Sequence, residues 1–229
     1  MGRYDDVANI KAIKENSGAE KVFYLGWSQG TVQMFYALAH LEEDFLVDNL
    51  HKFVAFAPCT ICPDGNEESY YEDSLYAYPS VGVYDLYGPH WESEYEKVCN
   101  ELGEDACDYA NCDDCEPMAV QSETHWAQNT YTDRFQEYAP NYLAGERETT
   151  LIDISSIDKI PIALLVGTAD ETCPYARAVE TAKIIGDMVV HFETIPDADH
   201  MYFGSANDEW FMNLVKSQLQ VDSPATFTQ

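Results

Sequence analysis

The chain has 229 residues, 46% of them hydrophobic and 13% aromatic, enough to bury one sizeable core and too apolar for a disordered chain. Its formal charge is −29, with 12 lysines and arginines spread along it; binding a phosphate backbone needs clustered cations, so nucleic acid is excluded as a partner. No apolar run reaches the roughly 18 residues of a membrane span and the start lacks the apolar centre of a secretory signal, so the sequence reads as soluble.

In chain order, residues 5–17 form the first expected helix. Asp5 and Asp6 favour its start, Val7, Ile10 and Ile13 recur on one side, and Gly18 can stop it. Apolar runs at 22–27, 53–57, 162–166 and 188–195 predict strands. Helical patterns at 29–41, 174–185 and 206–219 follow the first, third and fourth of them, with Pro174 at a permitted first-turn position. This alternation predicts an α/β fold with a parallel sheet flanked by helices. The first three strands look apolar on both faces, the mark of buried strands, yet only a helix precedes Val22, which would leave the first strand at a bare sheet edge.

Between the second and third strands the periodicity fails. Residues 60–158 hold most of the net negative charge among tyrosines, cysteines and glycines, and read as a cap, or lid, inserted into a core made of 1–59 and 159–220; 221–229 read as a tail. Of the seven cysteines, Cys59, Cys62, Cys99, Cys107, Cys112 and Cys115 lie in one middle segment and Cys173 stands apart. Such clustering favours disulfides and an oxidising compartment. The pairs Cys59/Cys62 and Cys112/Cys115 also have the spacing of thiolate ligands, but the gap between them is long for a zinc ribbon, so no metal is expected. Tyr70, Tyr71, Tyr76, Tyr78, Tyr84 and Tyr87 suit packing first and a lipid-facing surface second.

The chemistry centres on "VFYLGWSQGT". Gly26, Ser28 and Gly30 form G-x-S-x-G where a strand gives way to a helix, the setting of a nucleophile elbow, in which small flanking residues let the chain turn and lift the hydroxyl clear. The backbone N–H of Gln29, first in the helix, is placed to receive a developing oxyanion. The plainer reading makes Ser28 a helix N-cap. "LLVGTADETC" ends the third strand at Asp170, and "IPDADHMYFG" carries His200 past the fourth. Serine, acid, histidine is the chain order of the α/β-hydrolase triad, and strand ends at one edge of a parallel sheet converge. His200 would take the proton of Ser28 and Asp170 would orient and charge-balance the imidazole. Glu171, Asp197 and Asp199 compete for the acid role; His40, His51, His90, His125 and His191 are worse placed than His200.

These residues resemble the gastric and lysosomal acid lipase family, α/β-hydrolases that cleave triacylglycerols and, in the lysosomal branch, cholesteryl esters. The first helix with "YLGWSQGT", the run "FVAFAPC", the stretch "HWAQNTYTDRFQEY" and the ending "DADHMYFG" each resemble a segment of the family. The resemblance implies a cofactor-free ester hydrolase acting on lipid at a lipid–water interface, a secreted or lysosomal location, an acidic optimum, and a cap disulfide between Cys99 and Cys107. Trp27 departs from it, standing where the family has histidine. The resemblance also leaves the family's early strands, and the loop that supplies the second oxyanion-hole donor, unmatched. On this reading the chain is the C-terminal portion of a longer lipase whose N-terminal part lies upstream, and alone is poorly soluble and weakly active, since an unprotected strand invites edge pairing. The alternatives are an inactive lipase-like fragment that binds lipid or a partner protein, and a general carboxylesterase for soluble esters.

Overall fold

A computed structural model describes residues 1–41, 43–61, 76–104, 107 and 117–220. The chain divides into two compact units, one of Met1–Pro63 with Ile152–Gln229, the other of Asp64–Leu151.

The first unit opens with α1 (Asp5–Ser17), which two aspartates favour at its N-terminus and Gly18 ends in the left-handed conformation. Then come β1 (Val22–Trp27), α2 (Gln29–His40), α3 (Glu43–Asn49) and β2 (Leu50–Phe56). The second strand starts three residues before the apolar run at Phe53: Leu50 pairs with Val22, and Lys52 with Phe23. The polar His51 and Lys52 hide this extension in the sequence, and half-burial pushes the Lys52 ammonium below its ordinary pKa.

The second unit holds β3 (Asp85–Leu86), α4 (Trp91–Leu102), β4 (Met118–Ala119) and α5 (Val120–Thr132), the two short strands pairing antiparallel. The sequence reading of an irregular segment is corrected here. Trp91, Tyr95, Val98 and Leu102 lie on one helical stripe of α4 and pack with Tyr78, Val83, Leu86 and Val120. The acids between them mask the period. Tyr78 is a core residue, Tyr76 stacks on Tyr142, and Tyr84 is exposed; Tyr70 and Tyr71 lie outside the described residues. A disulfide joins Cys99 and Cys107.

The chain returns to the first unit with β5 (Ile162–Gly167), α6 (Tyr175–Ile185), β6 (Val189–Ile195), α7 (Tyr202–Ser205) and α8 (Glu209–Gln218). Pro174 caps α6 from outside rather than occupying its first turn, and the helix expected over 206–219 starts at Glu209, where the Asp208 carboxylate accepts the Phe211 N–H; α7 lies ahead of the expected range. The 221–229 tail lies outside the described residues.

The sheet is wholly parallel in the order β1-β2-β5-β6. Its centre is β2 and β5; every residue of β5 is buried. Val54, Phe56, Ala163 and Leu165 pack on Phe211 of α8, while Phe53 meets Phe35 of α2 edge to face. In β1, by contrast, only Gly26 is buried and Leu25 is 44% exposed. The expected edge position of β1 is observed; the expectation of burial on both faces is corrected, since α1 and α2 only half-cover the strand.

Candidate active site

Three loops at the carboxyl ends of β1, β5 and β6 make the site. At the end of β1 the chain turns through Ser28 at φ 53°, a left-handed conformation costly for a residue with a Cβ. The turn needs a glycine before the serine: a Cβ on Gly26 would sit 2.9 Å from the Gly30 carbonyl and 2.9 Å from the Tyr24 ring. Neighbouring bonds over-determine the strained residue. The Ser28 N–H donates to Phe56 O, and the Ser28 carbonyl accepts from both the N–H and the hydroxyl of Thr31, at 2.9 and 2.6 Å. The buried Thr31 hydroxyl oxygen in turn accepts the Cys59 N–H at 3.0 Å, so the elbow is tied to the chain leaving β2.

Ser28 occupies the N-cap position of α2, but its hydroxyl makes no capping bond. It lies 2.8 Å from His200 Nε2 instead. The capping reading is therefore replaced by a side chain turned toward an imidazole.

His200 and Asp170 meet because the loops after β5 and β6 are zipped together. The Thr168 N–H donates to Ile195 O, the Ala169 N–H to Ala198 O, and the Asp197 N–H to the Thr168 hydroxyl. Gly167 is needed for this approach, since a Cβ there would collide with the Ala198 carbonyl. His200 Nδ1 then lies 3.0 Å from Asp170 Oδ2. The other oxygen, Oδ1, accepts the N–H groups of Thr172 and Cys173 at 2.9 and 2.7 Å. Asp170 is 5% exposed, so its charge is held by three donors in a dry setting. An acceptor-only carboxylate at Nδ1 fixes the imidazole tautomer: Nδ1 carries the proton and Nε2 is free to accept from Ser28.

The competing acids are placed elsewhere. Glu171, Asp197 and Asp199 are exposed, and Asp199 accepts the Tyr202 N–H ahead of α7. Among the other histidines, His40 stacks on Tyr36, His51 lies beside Phe23, His125 bonds Gln136 O, His191 pairs with Glu193, and His90 precedes α4. Gln29 opens α2, so its N–H belongs to the first-turn amides that lack an acceptor within the helix.

Three features were not expected from sequence. The indole of Trp27 donates to the His200 carbonyl at 3.1 Å, its ring centroid lies 5.6 Å from the imidazole, and it fills the space that a Cβ on Gly204 would take. Thr31 is the second. The third is a disulfide from Cys59 to Cys173. It consumes the first member of the Cys59/Cys62 pair, while Cys62, Cys112 and Cys115 lie outside the described residues. Asp170, Cys173 and His200 hold donor atoms within 4.8 Å of one another, but a disulfide sulfur is no thiolate and the other two are engaged with each other, so the set does not fit a metal.

No protein-family profile matches the chain. It is similar to human lipase member M, at 38% identity over 58 residues, 25% of this chain and 13% of that protein. It is also similar to lipase lipl-3 of Caenorhabditis elegans, at 40% identity over 60 residues, 25% of this chain and 14% of that one. Each match thus spans well under a fifth of the relative's length. Among solved structures, a monoacylglycerol lipase of Paleococcus ferrophilus is similar with a TM-score of 0.48 and 17% identity, over 93% of this chain and 72% of that one. A parallel sheet whose first strand ends in a glycine-flanked serine elbow, with acid and histidine on the loops after its last two strands, gives this chain an α/β-hydrolase fold.

Proposed function

We propose that the chain carries the catalytic machinery of a serine carboxylic ester hydrolase of lipase type, acting on triacylglycerols or sterol esters. The observation that supports it best is the unbroken line from Ser28 Oγ through His200 to Asp170, at 2.8 and 3.0 Å. Ser28 attacks the ester carbonyl as His200 Nε2 takes its proton, and Asp170 stabilises the imidazolium. The Gln29 N–H receives the oxyanion of the tetrahedral intermediate. His200 then protonates the departing alkoxide, leaving an acyl-serine that water opens by the same route reversed. The choice of lipid esters rests on the acid-lipase resemblance and on the two relatives named as lipases. The Cys59–Cys173 and Cys99–Cys107 bridges support an oxidising, secreted or lysosomal location.

A fluorophosphonate is expected to modify one serine, mapped to residue 28 by peptide mass spectrometry, and Ser28→Ala to lose the label completely. Labelling elsewhere, or none in the folded protein, rules the proposal out. Emulsified long-chain esters turned over faster than soluble short-chain ones identify a lipase; the reverse identifies a general esterase.

Trp27 contributes by fixing the loop that carries His200. Trp27→Phe keeps an aromatic ring and removes the N–H, so Ser28 phosphonylation is expected to slow about fivefold, the scale of one net hydrogen bond. Trp27→Ala also empties the space beside Gly204, and a larger loss is expected from the same rate measurement.

A further inference from the structure

A buried carboxyl that the triad does not use sits behind the elbow. Asp6 of α1 is 3% exposed, and its Oδ2 has no hydrogen-bond partner. Its Oδ1 lies 3.2 Å from the Tyr24 hydroxyl. That hydroxyl is also 3.1 Å from the carbonyl of Gly30, one residue beyond the candidate oxyanion donor. Tyr24 carries a single hydroxyl proton and cannot donate to both oxygens. A carboxylate at Asp6 accepts only, and with Gly30 O also an acceptor, one of the two contacts then lacks a proton. Protonating Asp6 supplies it: the carboxyl donates to the Tyr24 oxygen, and the Tyr24 hydroxyl donates to Gly30 O.

We propose that Asp6 is a positioning residue for the nucleophile: while its carboxyl holds a proton, the chain Asp6 to Tyr24 to Gly30 O pins the first turn of α2 behind Ser28, and when the proton leaves, Tyr24 turns its hydrogen to Asp6 and releases that carbonyl. The part concerning Ser28 rests on the hydrolase reading above. The packing around the chain is close, since the Tyr24 ring and the Gly30 carbonyl leave no room for a Cβ on Gly26.

The groups that face Asp6 act in the same direction on balance. Burial, the largest cause, raises its pKa to about 6, the Tyr24 hydroxyl and the amino terminus lower it, and the neighbouring Asp5 raises it. Burial and then the Asp6 charge push the Tyr24 phenol upward, so it stays a donor throughout. From α2 no acid, lysine or arginine faces the pair, the titratable side chains of Gln29–His40 being Tyr36 and His40. With a folded pKa above the ordinary 3.8, the folded state binds the proton better than the unfolded one. Asp6 therefore favours folding most below the ordinary carboxylate range, and that contribution falls as pH rises toward 6.

Asp6→Asn replaces the carboxyl with a permanently neutral donor, and Tyr24→Phe cuts the chain in the middle. In the parent, infrared difference spectra are expected to show a protonated-carboxyl band that fades near pH 6 and is missing from Asp6→Asn. The Gly30 carbonyl 13C shift should move with the same midpoint in the parent and stay still in Tyr24→Phe. The rate of Ser28 phosphonylation should match between parent and Asp6→Asn below that midpoint; above it the parent should fall about fivefold behind, the scale of one hydrogen bond. Asp6→Asn on a Tyr24→Phe background should change nothing. No protonated-carboxyl band, a Gly30 shift indifferent to pH, or parallel labelling profiles for parent and Asp6→Asn each overturn the proposal. A chain that shows the band and the Gly30 shift but never labels at Ser28 upholds the hydrogen-bond relay and refutes the hydrolase reading instead.

Discussion

Asp170→Asn is expected to lower ester turnover and Ser28 phosphonylation about 10⁴-fold, the loss a triad suffers when its histidine is held in the wrong tautomer, with little change in melting temperature. The direction follows from how the two oxygens are used. Oδ1 accepts two backbone N–H groups, from Thr172 and Cys173, and Oδ2 accepts the imidazole. An asparagine must put its one carbonyl oxygen where two donors converge, because the opposite orientation aims an NH2 at both amides. Its NH2 then faces His200 Nδ1, which has to accept. The ring proton moves to Nε2, and Nε2 donates to Ser28 Oγ where it should accept. The geometry survives while the base is lost. Imidazole 15N shifts should report the Nδ1-protonated tautomer in the parent and the Nε2-protonated one in the variant. A variant within tenfold of the parent would mean that Asp170 does not set the tautomer.

The three side chains that meet at the candidate site were readable in the sequence for a reason that does not extend to what supports them. Ser28, Asp170 and His200 each stand just past an apolar strand, and in a parallel sheet every strand ends on the same side, so position along the chain translates directly into position at the rim. Thr31, Trp27 and Tyr24 act through contacts that depend on side-chain direction across packed elements, which spacing alone does not encode. Burial was misjudged for β1 because an apolar strand reads the same whether the helices on its faces cover it fully or in part. In α4 the stripe of Trp91, Tyr95, Val98 and Leu102 was diluted by Glu92, Glu94, Glu96 and Glu101 until the period vanished. The disulfide partner of Cys59 was the least legible feature: clustering pointed to disulfides without giving their connectivity, and the partner lies at a sequence separation of 114, on the neighbouring loop.

That bridge carries the second large expectation. Cys59 donates its N–H to Thr31, whose hydroxyl bonds the Ser28 carbonyl, and Cys173 donates its N–H to Asp170. The sulfur link therefore joins the backbone behind the serine to the backbone behind the acid, both cysteines being 1% exposed. Closing a loop of this length restricts the unfolded chain by about 4–5 kcal/mol in the chain-entropy treatment, a large part of the roughly 5–15 kcal/mol that holds a domain folded. Cys59→Ala/Cys173→Ala is expected to melt roughly 10 °C or more below the parent, at about 2–4 °C per kcal/mol for a chain of this size. The Cys99–Cys107 link, with a separation of only 8, should cost about half as much by the same relation. Loss of the long bridge should also slow Ser28 phosphonylation at temperatures where the chain is still folded, because the Asp170 loop then keeps its place only through hydrogen bonds. The two single-alanine variants should match the double one, since each already lacks the link. A double variant that melts with the parent, or that melts early yet labels at the parent's rate when folded, would show that the sulfur link does not hold the two loops in register.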